Sequence, residues 1–169
     1  MSSTAIKALW PGEKTEDLME LRNSHGSAPV VWSAMCVRYL RQSSSSWLFN
    51  SDKLWPLARN SSVPEVHRMV LAMTYDNVCI LKKDYARAAK DIRQFLLDFS
   101  KENEGGVNHW PAIAAMFESD PDCPAIGFHW TSVNSDPWEG PWDEEKDEPG
   151  QFDWSQAWSL YDSFSKPAA

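Results

Sequence analysis

The residues able to make or break bonds in this chain are four histidines, three cysteines, the serines and a scatter of carboxylates. A pair of imidazoles holds zinc from one helix at i, i+4 spacing, and a single one moves protons when a carboxylate orients it. His25, His67, His109 and His129 contain no such pair, and H-E-x-x-H is absent. The combination left open is His109, at the start of a helical segment, with His129, on an extended one, and the carboxylates Asp120, Asp122 and Asp136. Those groups make a metal-assisted hydrolase only if folding draws them together, and their spacing does not require it. Each histidine is therefore expected to be structural, and no metal or cofactor is assigned.

The other chemistries fare worse. A cysteine nucleophile needs a polar, electropositive niche, whereas Cys36 in "SAMCV" and Cys79 in "NVCIL" sit in apolar runs. Cys123 in "PDCPA" is flanked by turn residues and is expected to be exposed among acids. The three are too widely spaced for a disulfide framework or a zinc site. There is no G-x-S-x-G elbow and no G-x-G-x-x-G or Walker spacing among only seven glycines. Nucleic-acid binding needs a basic stripe. The nearest candidate, Lys82, Lys83, Arg87, Lys90 and Arg93, is interleaved with Asp84, Asp91 and Asp98, as a solvated helix face would be.

One stretch is distinctive by chemistry and density. Between Asp136 and Asp153 eight acids face a single base, Lys146, so this stretch holds −7 of the chain's net −8. Within it stand Trp138 and Trp142, in a chain with ten tryptophans, and Pro137, Pro141 and Pro149. Clustered acids repel nucleic acid and anionic membranes and attract a basic protein partner, while exposed Trp anchors interfaces. Prolines stiffen the backbone and lower the cost of ordering it on binding. The bland alternative is that Trp138 and Trp142 fold back onto the sheet while the carboxylates face water.

Elements must position that stretch. An apolar series at Tyr85, Ala88, Ala89, Ile92, Phe95, Leu96 and Phe99 traces one helical face and predicts a helix over about 84–100. "HWPAIAAMF" predicts a helix over 109–117, and "SAPVVWSAMCVRYLR" a buried helix over 27–41, with a central strand as the alternative. Thr15 and "TEDLMELRNS" suggest a short helix over 15–24. Apolar runs either side of Asp76-Asn77 suggest a β-hairpin over about 66–81, with a helix over 65–73 as the alternative, and "PAIGFHWTSV" a strand over about 124–133. Asp153 and Gln156 have capping-box spacing before a helix over about 153–165. The expectation is an α+β fold, a single domain over 1–169 with a small, mainly antiparallel sheet and an acidic Trp/Pro-rich surface loop at 134–152.

At 169 residues with 43% hydrophobic content the composition is that of an ordinary globular protein. No apolar stretch has membrane-spanning or signal-peptide length, so a cytoplasmic location is expected. In character these features resemble immunity proteins as a class, though no family motif is matched. The resemblance implies a non-enzymatic inhibitor that occludes the basic site of a toxin, a nuclease among the natural targets. The expected contacts are Trp138, Glu139, Trp142, Asp143, Glu144, Glu145, Asp147 and Glu148. The alternatives are the hydrolase above and an assembly adaptor built on the Trp-rich C-terminal helix; the oligomeric state is open.

Overall fold

Alternation sets the sheet. In a computed structural model, which describes residues 2–13, 15–102 and 105–166, β1 (Ser3–Leu9) sends Thr4, Ile6 and Ala8 to one side and Lys7 and Leu9 to the other. β3 (Val78–Leu81) divides Val78 and Ile80 from Cys79 and Leu81 in the same way, and β4 (Ala125–His129) divides Ile126 and Phe128 from Ala125. A period of two with apolar residues on both sides requires cover on both sides. The first side packs against helices α1 (Ala28–Met35, continuing through a wider turn at Cys36–Leu40), α3 (Glu65–Ala72), α4 (Tyr85–Asp98), α5 (Trp110–Glu118) and α6 (Leu160–Phe164). A four-residue α2 (Ser51–Leu54) lies between α1 and α3 in the chain and puts Leu54 into the same core. The second side is covered by Trp138, Phe152, Trp154 and Ala157, which belong to the acidic stretch and its exit.

With β2 (Glu16–Arg22) and β7 (Trp158–Ser159) the strand order is β2-β1-β4-β3-β7, antiparallel except for β3–β7. β5 (Trp142–Asp143) and β6 (Glu148–Pro149) form a separate two-stranded hairpin. The α+β class and the mainly antiparallel sheet are therefore as the sequence implies, and no helix among the described residues is long and apolar enough to cross a membrane.

Four expectations are corrected. Residues 15–24 are not a helix, because Met19 and Leu21 pack beside β1 in strand β2; a bulge opposite Ile6/Lys7 hides the alternation there. The hairpin over 66–81 is half right. Its second arm is β3, but its first is α3, the alternative helix over 65–73; His67 to Ala72 are all buried, and a short apolar run of that kind fits a strand or a helix. Asp76-Asn77 remains the turn between them, with Asn77 left-handed at φ 61°. The helix over 153–165 is interrupted. Asp153 Oδ1 accepts the Ser155 N–H at 3.0 Å and caps a single 3-10 turn, after which Trp158–Ser159 run extended along β3 before α6 begins. Satisfying the edge of β3 outweighs helix continuity there, because backbone donors at a covered edge need partners. Finally, Cys123 is buried, its Sγ 3.3 Å from the Tyr85 hydroxyl.

Candidate functional site

The acidic stretch is moored by one tryptophan and presented by the other. Gly127 leaves a notch in β4, and the Trp138 indole lies in it so closely that a Cβ at residue 127 would overlap the ring. Trp138 is 2% exposed, and its Nε1–H donates to Phe128 O at 3.1 Å. Asp136 turns the chain into this position: its Oδ1 accepts the Trp138 N–H at 2.9 Å across Pro137, an Asx turn. The other oxygen, Oδ2, meets Lys7 Nζ at 2.6 Å and stands 3.8 Å from His129 Nδ1. Lys7 also reaches Asp17 at 2.9 Å. Burial works against the Lys7 charge, but the hydrogen bonds to Asp136 and Asp17 outweigh it and hold its pKa above the ordinary lysine value. Phe152 and Trp154 close over Trp138 with ring centroids at 5.2 and 6.1 Å.

From that anchor the hairpin projects. Gly140 N–H donates to Gly150 O at 2.9 Å and Gly150 N–H to Pro141 O at 2.8 Å, after which Trp142 pairs with Pro149 and Asp143 with Glu148. Asp143 Oδ1 caps the turn by accepting the Glu145 and Lys146 N–H groups at 3.1 and 3.3 Å, and Lys146 Nζ lies 3.2 Å from Asp143 Oδ2. Asp147 closes the turn in the left-handed region at φ 54°. Trp142 is 59% exposed, and Glu139, Glu144, Glu145 and Asp147 also face water, while Asp143 and Glu148 are half-buried. Between the hairpin and the β1–β2 turn lies a cleft of about 350 Å³, floored by Trp138 and Phe152 and walled by Glu13, Asp143 and Glu148. An aromatic floor under carboxylate walls suits an ammonium group, and Lys146, which lines the same cleft, already supplies one to Asp143 at 3.2 Å.

Of the expected contacts, Trp138 is thus a core residue reaching only the floor of this cleft, and the other seven share one projecting unit. The mooring residues Lys7, Asp136 and Gly127 escape sequence reading. The Asp-Pro-Trp order of an Asx turn is their one local signal, and Lys7 and Gly127 carry none.

The hydrolase groups do not converge. His109 Nε2 donates to the Arg22 and Asn23 carbonyls at 2.6 and 3.1 Å, and His129 Nε2 donates to Asn134 O at 2.9 Å. His129 does approach Asp136, but Asp120 and Asp122 stand around Lys82, each at 3.6 Å. Among the described residues no group of three or more His, Cys, Asp or Glu could hold a metal ion. Cys36 and Cys79 are buried, and burial pushes Cys79 up to about 11, away from thiolate reactivity. The cations beside α4 are largely committed: Lys83 to Asp162, Arg87 to Glu65 and Arg93 to Glu118, at 2.9–3.1 Å. For the adaptor, Trp154 is packed inward and Trp158 is partly exposed beside a five-residue α6.

Comparison with protein-family models, with curated proteins and with solved structures finds no match.

Proposed function

We propose that this chain is a non-enzymatic binding protein that occludes a basic site on a protein partner, in the manner of an immunity protein neutralising a toxin. The observation that carries the reading is the division of labour between two tryptophans. Trp138 is spent on anchoring, so the hairpin is held in place before any partner arrives, while Trp142 stands exposed among Glu139, Glu144, Glu145 and Asp147. A preformed aromatic anchor ringed by acids binds without a large ordering cost, and the acids reject partners of the wrong sign. A nuclease toxin suits this surface because its substrate site must be cationic to receive phosphates.

The test uses the basic partner that copurifies with the tagged chain from its own host. Trp142→Ala is expected to speed dissociation at least tenfold, and Glu144→Lys with Glu145→Lys to slow association. Wild-type protein is expected to abolish the partner's activity at equimolar ratio. Unchanged association and dissociation rates in both variants would remove the hairpin as the contact surface.

A further inference from the structure

A free sheet edge adjoins the hairpin. Among the described residues β2 ends the strand order and pairs with β1 alone. The direction of its backbone follows from one hydrogen bond: Asn23 N–H donates to Ser2 O at 3.0 Å, which makes Ser3–Arg22 a non-hydrogen-bonded pair. Ala5–Glu20, two residues along, is a pair of the same kind, so Glu20 turns its N–H and C=O away from β1. Arg22 O on that outer edge is already taken by His109 Nε2 at 2.6 Å. The open part of the edge therefore runs from Glu20 back toward Glu16, with the bulge at Leu18 inside it.

The two flanks of this edge differ in chemistry. On the helix side, Leu18 (39% exposed) and Met19 form a shallow apolar groove with Ala112, Ala115 and Met116 of α5. On the other side lie Glu20, facing as its partner Ala5 does, and Asp17, held by Lys7. That side continues past the β1–β2 turn into the cleft beneath the hairpin, which Glu13, Asp143 and Glu148 line together with Lys146. Resting on the binding role proposed above, we propose that the partner enters as an extended segment that adds to β2, its apolar residues in the α5 groove and its Lys or Arg residues toward Asp17, Glu20 and the hairpin. Strand addition supplies main-chain hydrogen bonds, and alternate side chains supply specificity. A second copy of this chain does not suit the edge, because pairing β2 with itself gathers Glu16, Asp17 and Glu20 from both strands in one ladder.

The probe is a fluorescent peptide of about nine residues alternating Lys and Val, within ordinary strand length. Its control is the same peptide N-methylated at every residue, which keeps the charge and the side chains but has no N–H to donate on either edge. By anisotropy the plain peptide is expected to bind and the methylated one to lose at least tenfold. Glu20→Lys is expected to weaken the plain peptide several-fold, and the Glu20 amide to gain at least tenfold protection from hydrogen exchange on binding. Equal affinity of the two peptides, or no change at the Glu20 amide, overturns strand addition. Failure of the plain peptide to bind also overturns it. These outcomes differ from failure of the docking reading itself, in which hairpin charge reversal leaves partner association unchanged.

Discussion

Pro137-Trp138-Glu139 and Pro141-Trp142-Asp143 are nearly the same local sequence, yet one indole is core and the other is surface. Nothing within either triplet decides between them. The decision comes from Gly127, which clears space on β4, and from Asp136, whose two oxygens turn the chain and grip Lys7. The acidity and aromatic density of the site are thus legible in the sequence, whereas the orientation of each tryptophan depends on contacts far along the chain. The two residues should separate cleanly in urea denaturation. Trp138→Ala empties the lower core and is expected to cost about 3–5 kcal/mol. Trp142→Ala, with its ring in water, should stay within about 0.5 kcal/mol of wild type. Gly127→Ala forces the indole out of its notch and should cost about 1–3 kcal/mol as an overpacking change. Equal losses for the two tryptophan variants would contradict the assigned division between anchor and contact.

A wet and a dry face made α4 readable, and apolar runs with a proline entry or with aromatic and β-branched content made α1, α5 and β4 readable without one. α4 keeps Tyr85, Ala88, Ala89, Ile92 and Phe95 buried at helical spacing, and α5 begins at its proline as expected. α3 is buried from His67 to Ala72 and its apolar run reads as helix or strand alike, β2 is bulged, and β7 pairs with β3 over two residues only, so local pattern did not settle these three. Where α3 and α4 meet the end of α1, His67 bridges Tyr39 Oη (2.5 Å) and Asp98 Oδ2 (2.8 Å), and Gln94 donates to Asp98 Oδ1 at 2.8 Å. Partial burial opposes the Asp98 charge, but the hydrogen bonds from His67 and Gln94 and the nearby Arg38 outweigh it and hold the carboxyl below its ordinary value. A depressed carboxylate pKa stabilises the fold above the unfolded value of 3.8 and loses that contribution as pH falls through the lower, folded value. Asp98→Asn should therefore flatten the acid limb of a stability–pH curve below about pH 4. At neutral pH it should cost no more than about 1 kcal/mol, because the carboxylate is partly solvated. Parallel acid limbs for wild type and variant would show that this junction does not sense its charge.

At the scale of the whole molecule, charge is the quantity most unevenly distributed. The stretch from Asp136 to Asp153 holds −7 of the net −8, and the fold gathers most of it on one hairpin beside the acidic edge of β2. A field concentrated in this way steers a cationic partner toward one face, whereas the same charge spread evenly would only raise the general attraction. The two cases respond differently to salt and to the position of a substitution. Screening shortens from about 30 Å at 0.01 M to about 10 Å at 0.1 M ionic strength, so association should slow markedly over that range while dissociation changes little. Reversing Glu144, Glu145 and Asp147 to Lys should flatten the salt dependence of the association rate. Reversing Asp52, Glu65 and Glu118, which are exposed and outside the stretch, changes net charge by the same amount and should leave most of the slope in place. Stopped-flow association measured across a salt series for both triple variants decides the matter. Equal flattening by the two sets would mean that the partner responds to the total charge of the protein and not to the hairpin.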